Sequence, residues 1–495
     1  YESSDRFAFG GLGTPFYSES ENTKGTDEVF GILNYETDLS EDFDISASLG
    51  FEIYDQNYKS IYASTTGGLN AEGFYSLNTS TGRPDVSSYV EDFARKSTFA
   101  KASIGFRNML YIDGTARFDW QSTADSEANR VETYGGSLSF IFSKLLENND
   151  FLSFGKLRAS IAEAPLFPNP YQLSETFSVG TPYASYGKLS VKSQLFNPNL
   201  IGGVRQEYEF GTELRFLNSR FGLDVTYFTK KDSELPVAVT LDPATGYNSF
   251  LTNSGEQTYK GWEFALNVIP IKTDNFTWDL TANLATLERT VDKIADGTTT
   301  NVLAETWRGI QLQERTGEEW GAIYGRAYQR DDNGNILLSS TGSPQYDTNQ
   351  YLGNLLPDFT GGASSYMTFK NFSLGLDFDF QKGGKLFSVT RMFNAYSGLG
   401  AETIGNNALG NPQRDPVTGG GASVALADAD TDSGGILIEG VDSNTGEPVS
   451  YLVEAQTYWG RLFALHERWL YDASYFKLRQ ARLDYTIPKN VLENT

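Results

Sequence analysis

Four carboxylates late in the chain have the spacing of a cation-binding loop. Asp428, Asp430 and Asp432 alternate, and Glu439 falls where the twelfth ligand of a calcium loop would sit. Calcium takes hard oxygen ligands at such positions. Ser433 stands at the sixth position, where glycine is expected for the sharp turn, and no helix pattern flanks the run. The competing reading is a solvated acidic loop. His466 is the sole histidine, so a Ser-His-Asp triad has only one place to form. Beside Arg461 and Glu467, it reads as a solvated or interfacial side chain. The chain carries 63 acidic residues, so no carboxylate pair stands out as a glycosidase dyad. Gly10, Gly11 and Gly13 lack the strand–helix context of a dinucleotide fingerprint. These patterns assign no catalytic residue, and substrate contacts stay unassigned.

Strands are the elements that would position such groups. In Thr277–Leu284, Trp278, Leu280, Ala282 and Leu284 alternate with Thr277, Asp279, Thr281 and Asn283. A period of two gives one apolar and one polar face. The same pattern recurs over Asp44–Tyr54, Tyr111–Trp120, Phe221–Phe228, Phe372–Phe380 and Tyr475–Ile487. Between them, short links such as Leu39–Asp42, Leu217–Arg220 and Lys272–Asn275 alternate with long polar stretches. The long excursions are expected at about 55–95, 164–204, 230–257, 291–357 and 381–470. Within 291–357, Glu319–Tyr328 and Ile336–Leu338 are expected to form a local hairpin around the Asn-Gly turn of Asp331–Asn335.

Short turns at one end of a sheet and long loops at the other describe an outer-membrane β-barrel. The chain of 495 residues has no apolar run near the ~18 residues of a membrane helix. Only a closed barrel then satisfies every backbone group in lipid. The net charge of −24 argues against nucleic acid, which needs a basic face. Trp120, Trp262 and Trp278 lie near inferred strand ends and suit an interfacial girdle. Trp307, Trp320, Trp459 and Trp469 lie in the excursions, where they would stack on sugars, meet a lid protein or pack internally.

Several segments resemble the SusC/RagA family of TonB-linked outer-membrane transporters of Bacteroidota. They are EYEFGTELRF…LDVTYF within Glu207–Phe228, GYNSFLTNSGEQTYKGWEFAL at Gly246–Leu266 and WDLTANLATLERTVDKI at Trp278–Ile294. The series continues with the run Gly353–Gly384, GILIEGV at Gly435–Val441 and DASYFKLRQARLDYTIPK at Asp472–Lys489. GILIEGV also accounts for Glu439 without calcium.

The resemblance implies an all-β fold: a large antiparallel transmembrane β-barrel, 22-stranded in the family, of which this chain covers about fourteen strands. Residues 1–495 are then the barrel portion, with plug and N-terminal domain outside this sequence. It implies TonB-dependent import of oligosaccharides or peptides, without covalent chemistry. The implied partners are a SusD-like surface lipoprotein acting as a lid, the TonB complex through the N-terminal part, outer-membrane lipid, and the glycan or peptide itself. A dimer of transporter–lid pairs is also implied. No cofactor is expected beyond Ca²⁺ in the acidic loop. The alternatives are a non-transporting β-rich surface protein that binds glycans or a protein, and a secreted glycan hydrolase.

Overall fold

A computed structural model describes residues 2–4, 14–71, 73–146, 151–183, 186–419 and 421–488. Thirteen long strands carry the main sheet: β1 (Phe16–Asp38), β2 (Phe43–Ser64), β3 (Asp85–Phe106), β4 (Leu110–Gln121), β5 (Arg130–Phe140), β6 (Leu152–Leu166), β7 (Gly203–Phe216), β8 (Phe221–Thr240), β9 (Ser249–Lys272), β10 (Phe276–Ala285), β11 (Pro357–Phe369), β12 (Phe372–Gly383) and β13 (Tyr475–Tyr485). A three-residue strand, Glu2–Ser4, pairs with β1 and makes fourteen along the path; Gln194–Leu195 and Glu288–Lys293 pair with β9 beside it, giving sixteen among the described residues. The strand tail expected at Arg6–Gly10 lies outside the described residues.

The chain divides into two compact units. One holds residues 1–140, 159–208 and 232–255; the other holds 141–158, 209–231 and 256–495. Strands β6 to β9 have a stretch in each.

In the first unit, β1 to β5 pair antiparallel in sequence order. Their register aligns one apolar face. Leu49 lies between Leu33 and Ala100, and Ile104 between Ile45 and Ile112. Leu33, Leu49 and Ile112 are 74%, 62% and 52% exposed, so this face has no cover from the described residues. On β2 the apolar rank runs from Phe43 to Ile53, then turns to Asp55, Asn57 and Lys59 on the same face. Ten steps of ~3.3 Å, tilted by ~40°, span about 25 Å, the height of a barrel's lipid-facing band.

The excursions expected at 55–95 and 230–257 are largely strand. β2 runs on to Ser64 and β3 begins at Asp85, so the irregular link covers only 65–84. β8 reaches Thr240 and β9 resumes at Ser249. Polar side chains do not stop a strand in water; turn chemistry does. Here it is supplied by Asp242, which caps the turn by accepting from the Ala244 amide at 2.9 Å, and by Gly246 at φ +85°. The expected loop at 164–204 carries a hairpin, Phe177–Tyr183 with Tyr186–Val191.

In the second unit, β9 to β13 pair antiparallel. Two excursions rise from the ends opposite the short turns. The first, between β10 and β11, contains a four-stranded sheet of Thr300–Thr306, Ile310–Arg315, Ala322–Tyr328 and Tyr346–Asn354. The expected hairpin there is half right. The Asp331–Asn335 turn closes, with the Asp331 amide donating to the Asn335 carbonyl at 2.9 Å and Gly334 at φ +86°. Beyond a single bridge, Arg330 to Ile336, the flanking strands pair elsewhere. Ala322–Tyr328 joins Ile310–Arg315 and Tyr346–Asn354, while Leu337–Leu338 joins Ile436–Asp442.

The second excursion, between β12 and β13, carries α1 (Val389–Tyr396) and α2 (Ala455–Leu462). It has its own core of Met392, Ala395, Ile436, Trp459, Leu462, Phe463, Leu465 and Trp469, packed against Tyr328 of the first. The two excursions thus form one folded cap within this unit.

Candidate functional site: a charged inner face, a folded cap and two cavities

Opposite the lipid-facing rank, the strands carry charges in pairs. In the first unit Glu52 of β2 binds Arg95 of β3 and, at 2.7 Å, Arg117 of β4. Arg117 also reaches Asp119 at 3.0 Å and the Ser97 hydroxyl at 2.8 Å. Ser97 donates to Asp119 at 2.6 Å, and both side chains are buried. Arg205 clamps buried Asp232 with two bonds of 2.6 and 2.7 Å. The second unit repeats the device. Arg158 of β6 clamps Asp224 of β8 at 2.9 and 2.6 Å, and Arg479 of β13 holds Asp379 of β12. Bidentate forks of this kind fix geometry as well as energy. Alternation exposes the polar rank; it does not show which charges pair, because partners lie on different strands.

Aromatic pairs mark the short-turn ends. Phe43 packs on Phe106 at 4.7 Å, and Phe372 on Tyr485 at 4.7 Å. Trp278 sits in this zone, its indole N–H donating to Ser365 Oγ at 3.0 Å. Trp262 is 45% exposed and stacks on Phe264 at 6.1 Å. Trp120 lies opposite Lys96, where the apolar rank ends. Of the excursion tryptophans, Trp459 and Trp469 are core residues of the cap. Trp307 packs edge-on against Phe393, and Trp320 lies under the Arg289 guanidinium at 3.9 Å.

His466 is wholly buried, not solvated or interfacial. Its Nδ1 accepts the Arg326 amide at 3.0 Å, and its Nε2 lies 3.1 Å from the Trp307 carbonyl. An accepting Nδ1 fixes the Nε2–H tautomer, which donates to that carbonyl. Burial, with the Arg326 charge second, pushes its pKa down to about 4. Both ring nitrogens are spent on the fold, so His466 is a strut between the excursions. Gly325 makes room for it, since a Cβ there would stand 2.7 Å from Nδ1.

The four carboxylates of the calcium pattern are not gathered. Asp428 ends a 3₁₀ turn, and Asp430 and Asp432 follow in an exposed loop. Glu439 is exposed on the strand Ile436–Asp442, opposite Ser450. Among the described residues, no group of three or more His, Cys, Asp or Glu side chains is placed to hold a metal. The GILIEGV strand carries Glu439 away from the turn, and Ser433 is buried, its hydroxyl accepting the Thr418 amide.

Two cavities lie on the long-loop side. In the first unit, Tyr89, Tyr171, Phe177, Phe196 and Tyr247 surround about 550 Å³, with Glu175 and Lys192 on the wall. The Tyr171 hydroxyl accepts the Asp92 amide at 3.0 Å on the β3 edge beyond β4. In the second unit, the four-stranded sheet of the cap holds a polar cavity of about 500 Å³. No sequence pattern marks either one, because the first is walled by segments far apart in the chain and the second by separate strands of one excursion.

A lipid-facing apolar band, a paired polar inner face and short turns opposite large excursions define an outer-membrane β-barrel of the large antiparallel class. The TonB-dependent receptor-like β-barrel model matches residues 1–312, and the chain belongs to that family. It is similar to TonB-dependent receptor P26 of Formosa agariphila, with 26% identity over 445 residues, 81% of this chain and 44% of that protein. It is also similar to TonB-dependent receptor SusC of Bacteroides thetaiotaomicron, with 26% identity over 239 residues, 43% of this chain and 24% of that protein. The chain spans less than half the length of these curated relatives. Among solved structures, the RagAB peptide importer in its closed-closed state shares the fold at a TM-score of 0.72 and 18% identity, over 96% of this chain and 50% of that one. The chain is thus a SusC/RagA-like barrel of the outer membrane.

Proposed function

We propose that this chain is the barrel portion of an active importer that takes oligosaccharides, or peptides, across the outer membrane. In this reading a SusD-like surface lipoprotein closes over the excursions, and TonB supplies energy through a part of the protein outside this sequence. The protein performs no covalent chemistry on its cargo. The observation that carries the reading is the cap. A barrel built only to anchor or to leak has no need of two excursions sharing a buried core and a histidine strut at its long-loop end. The aromatic cavity beside Tyr89 and Tyr171 supports a carbohydrate or peptide cargo, since flat faces with a few polar groups suit either. Calcium in the acidic loop is not part of this proposal.

The test is native mass spectrometry of the complex extracted in detergent from its own outer membrane, with uptake measured in a deletion strain. Co-purification of a surface lipoprotein, and loss of uptake on deletion, is the expected result. A protein that purifies without a lipoprotein, and whose deletion leaves uptake unchanged, is a surface binder and overturns the proposal.

A further inference from the structure

The polar cavity of the cap is lined by three arginines, Arg308, Arg315 and Arg326. Elsewhere in this acidic chain arginine is mostly spent on carboxylates, as in Arg117–Glu52, Arg158–Asp224, Arg330–Glu467 and Arg479–Asp379. Among the described residues, none of the three cavity arginines has a carboxylate partner. The Arg315 guanidinium carbon lies over the Tyr324 ring, 3.5 Å from its centre. Its Nε donates to Gln313 Oε1 at 3.0 Å and its Nη2 to Asn349 Oδ1 at 3.1 Å. Gln313, itself buried, also donates to Asn349 Oδ1 at 3.1 Å. Asn349 stands at φ +54°, outside the paired register of its strand. Arg326 rests on Tyr346 at 5.1 Å and Arg308 on Phe463 at 5.4 Å. Aromatic faces and amide oxygens hold the guanidinium groups without neutralising them.

The carboxylates bonded to this wall are held by other side chains, Glu318 by the Tyr324 hydroxyl and Glu305 by the Gln311 amide at 2.6 Å, so three guanidinium groups face one cavity without a carboxylate of their own. Such forks match the oxygens of a carboxylate or sulfate. Besides the arginines, the Tyr324 ring and two glycines, the wall carries the amides of Gln311, Gln313 and Asn349 and the hydroxyls of Thr300 and Thr348, and it is more polar than apolar. It suits a ligand rich in hydroxyls.

We propose that this cavity is a binding subsite for the oxyanion of an acidic saccharide, carried as a uronate carboxylate or a sulfate ester. The inference rests on the import reading for its purpose and on Arg308, Arg315 and Arg326 for its chemistry.

The test uses the intact transporter with its native partners, in detergent, and isothermal titration calorimetry. Three oligosaccharides of equal length serve as probes: one neutral, one uronate-containing, one sulfated. The expected result is that at least one acidic probe binds tighter than the neutral one, with affinity falling as salt rises. Arg308→Gln removes an exposed guanidinium and Asn349→Asp adds a negative charge with little change of shape. Each is expected to weaken the acidic probe by about tenfold, the scale of one charge-assisted bond, and to leave the neutral probe and the thermal melt unchanged. The two acidic probes tell carboxylate from sulfate. Equal affinity for all three probes, or acidic binding unmoved by both variants, overturns the subsite. Uptake of the neutral probe by cells is scored separately. Its persistence alongside either of those results would sink the subsite and leave the import reading standing.

Discussion

The buried histidine makes a prediction that pH can isolate. Free in an unfolded chain, His466 takes up a proton near pH 6.5; inside the cap, burial and the neighbouring Arg326 push its pKa down to about 4. The folded state therefore favours the neutral ring. A histidine held neutral contributes stability that is complete above pH 6.5 and is lost as pH falls toward 4. A gap of about 2.5 pH units at ~1.4 kcal/mol each corresponds to roughly 3 kcal/mol of cap stability. Many carboxylates titrate over the same range, so the comparison must be with a variant. His466→Gln keeps an N–H for the Trp307 carbonyl and cannot titrate. Urea unfolding of the cap, followed by the fluorescence of buried Trp459 and Trp469, would be measured from pH 7.5 to 4. Wild type should lose roughly 3 kcal/mol more than His466→Gln over that window. Because His466 is the sole histidine, its ring resonance can also be followed directly by NMR. A midpoint near 6.5, or parallel pH profiles for the two proteins, would refute the strut.

Other outcomes follow from the same geometry. Gly325→Ala would drive a Cβ to 2.7 Å from His466 Nδ1 and break the Arg326 bond, costing the cap about 2–5 kcal/mol by crowding and an unsatisfied polar atom; protease sensitivity of residues 384–474 reports it. Trp469→Ala empties the centre of the cap core and should cost about 3–5 kcal/mol, leaving the heat-modifiable gel shift of the barrel unchanged. Leu49→Arg places a charge in the lipid-facing band and should cost about 2–4 kcal/mol in liposome refolding, whereas Asn57→Arg, above the band on the same face, should cost about 0–1. Equal costs for those two would mean that the band does not end at Ile53.

The barrel strands were legible because lipid and lumen impose a period of two. That signal lives in single residues, so Phe43–Ile53 can be read without knowing any partner strand. It fails where the strand leaves the membrane. Asp55, Asn57 and Lys59 face water on both sides of the alternation, and the pattern that separates strand from loop disappears although the ladder continues to Ser64. Turn chemistry survives that change. Asp242 with Gly246 and Asp331 with Gly334 close their turns where those residues stand, because an Asx cap and a positive φ are local.

The cap follows the opposite logic, and for that reason the sequence hid it. Its sheet takes one strand from Ile310–Arg315 and another from Tyr346–Asn354, its core joins Met392 to Trp469, and its histidine joins residue 466 to residue 326. Each contact depends on chain separation rather than on spacing. The local rule at Asn333–Gly334 correctly closed a turn and wrongly assigned its flanking strands, since a turn fixes direction and the core decides the partner. The same holds for charge. Arg117 and Arg315 look alike in the sequence, yet one faces Glu52 and Asp119 across neighbouring strands while the other is held by Tyr324, Gln313 and Asn349 and pairs with no carboxylate among the described residues. Folding sorts equal charges into those that hold the wall together and those left able to bind, and only the second kind can discriminate among ligands.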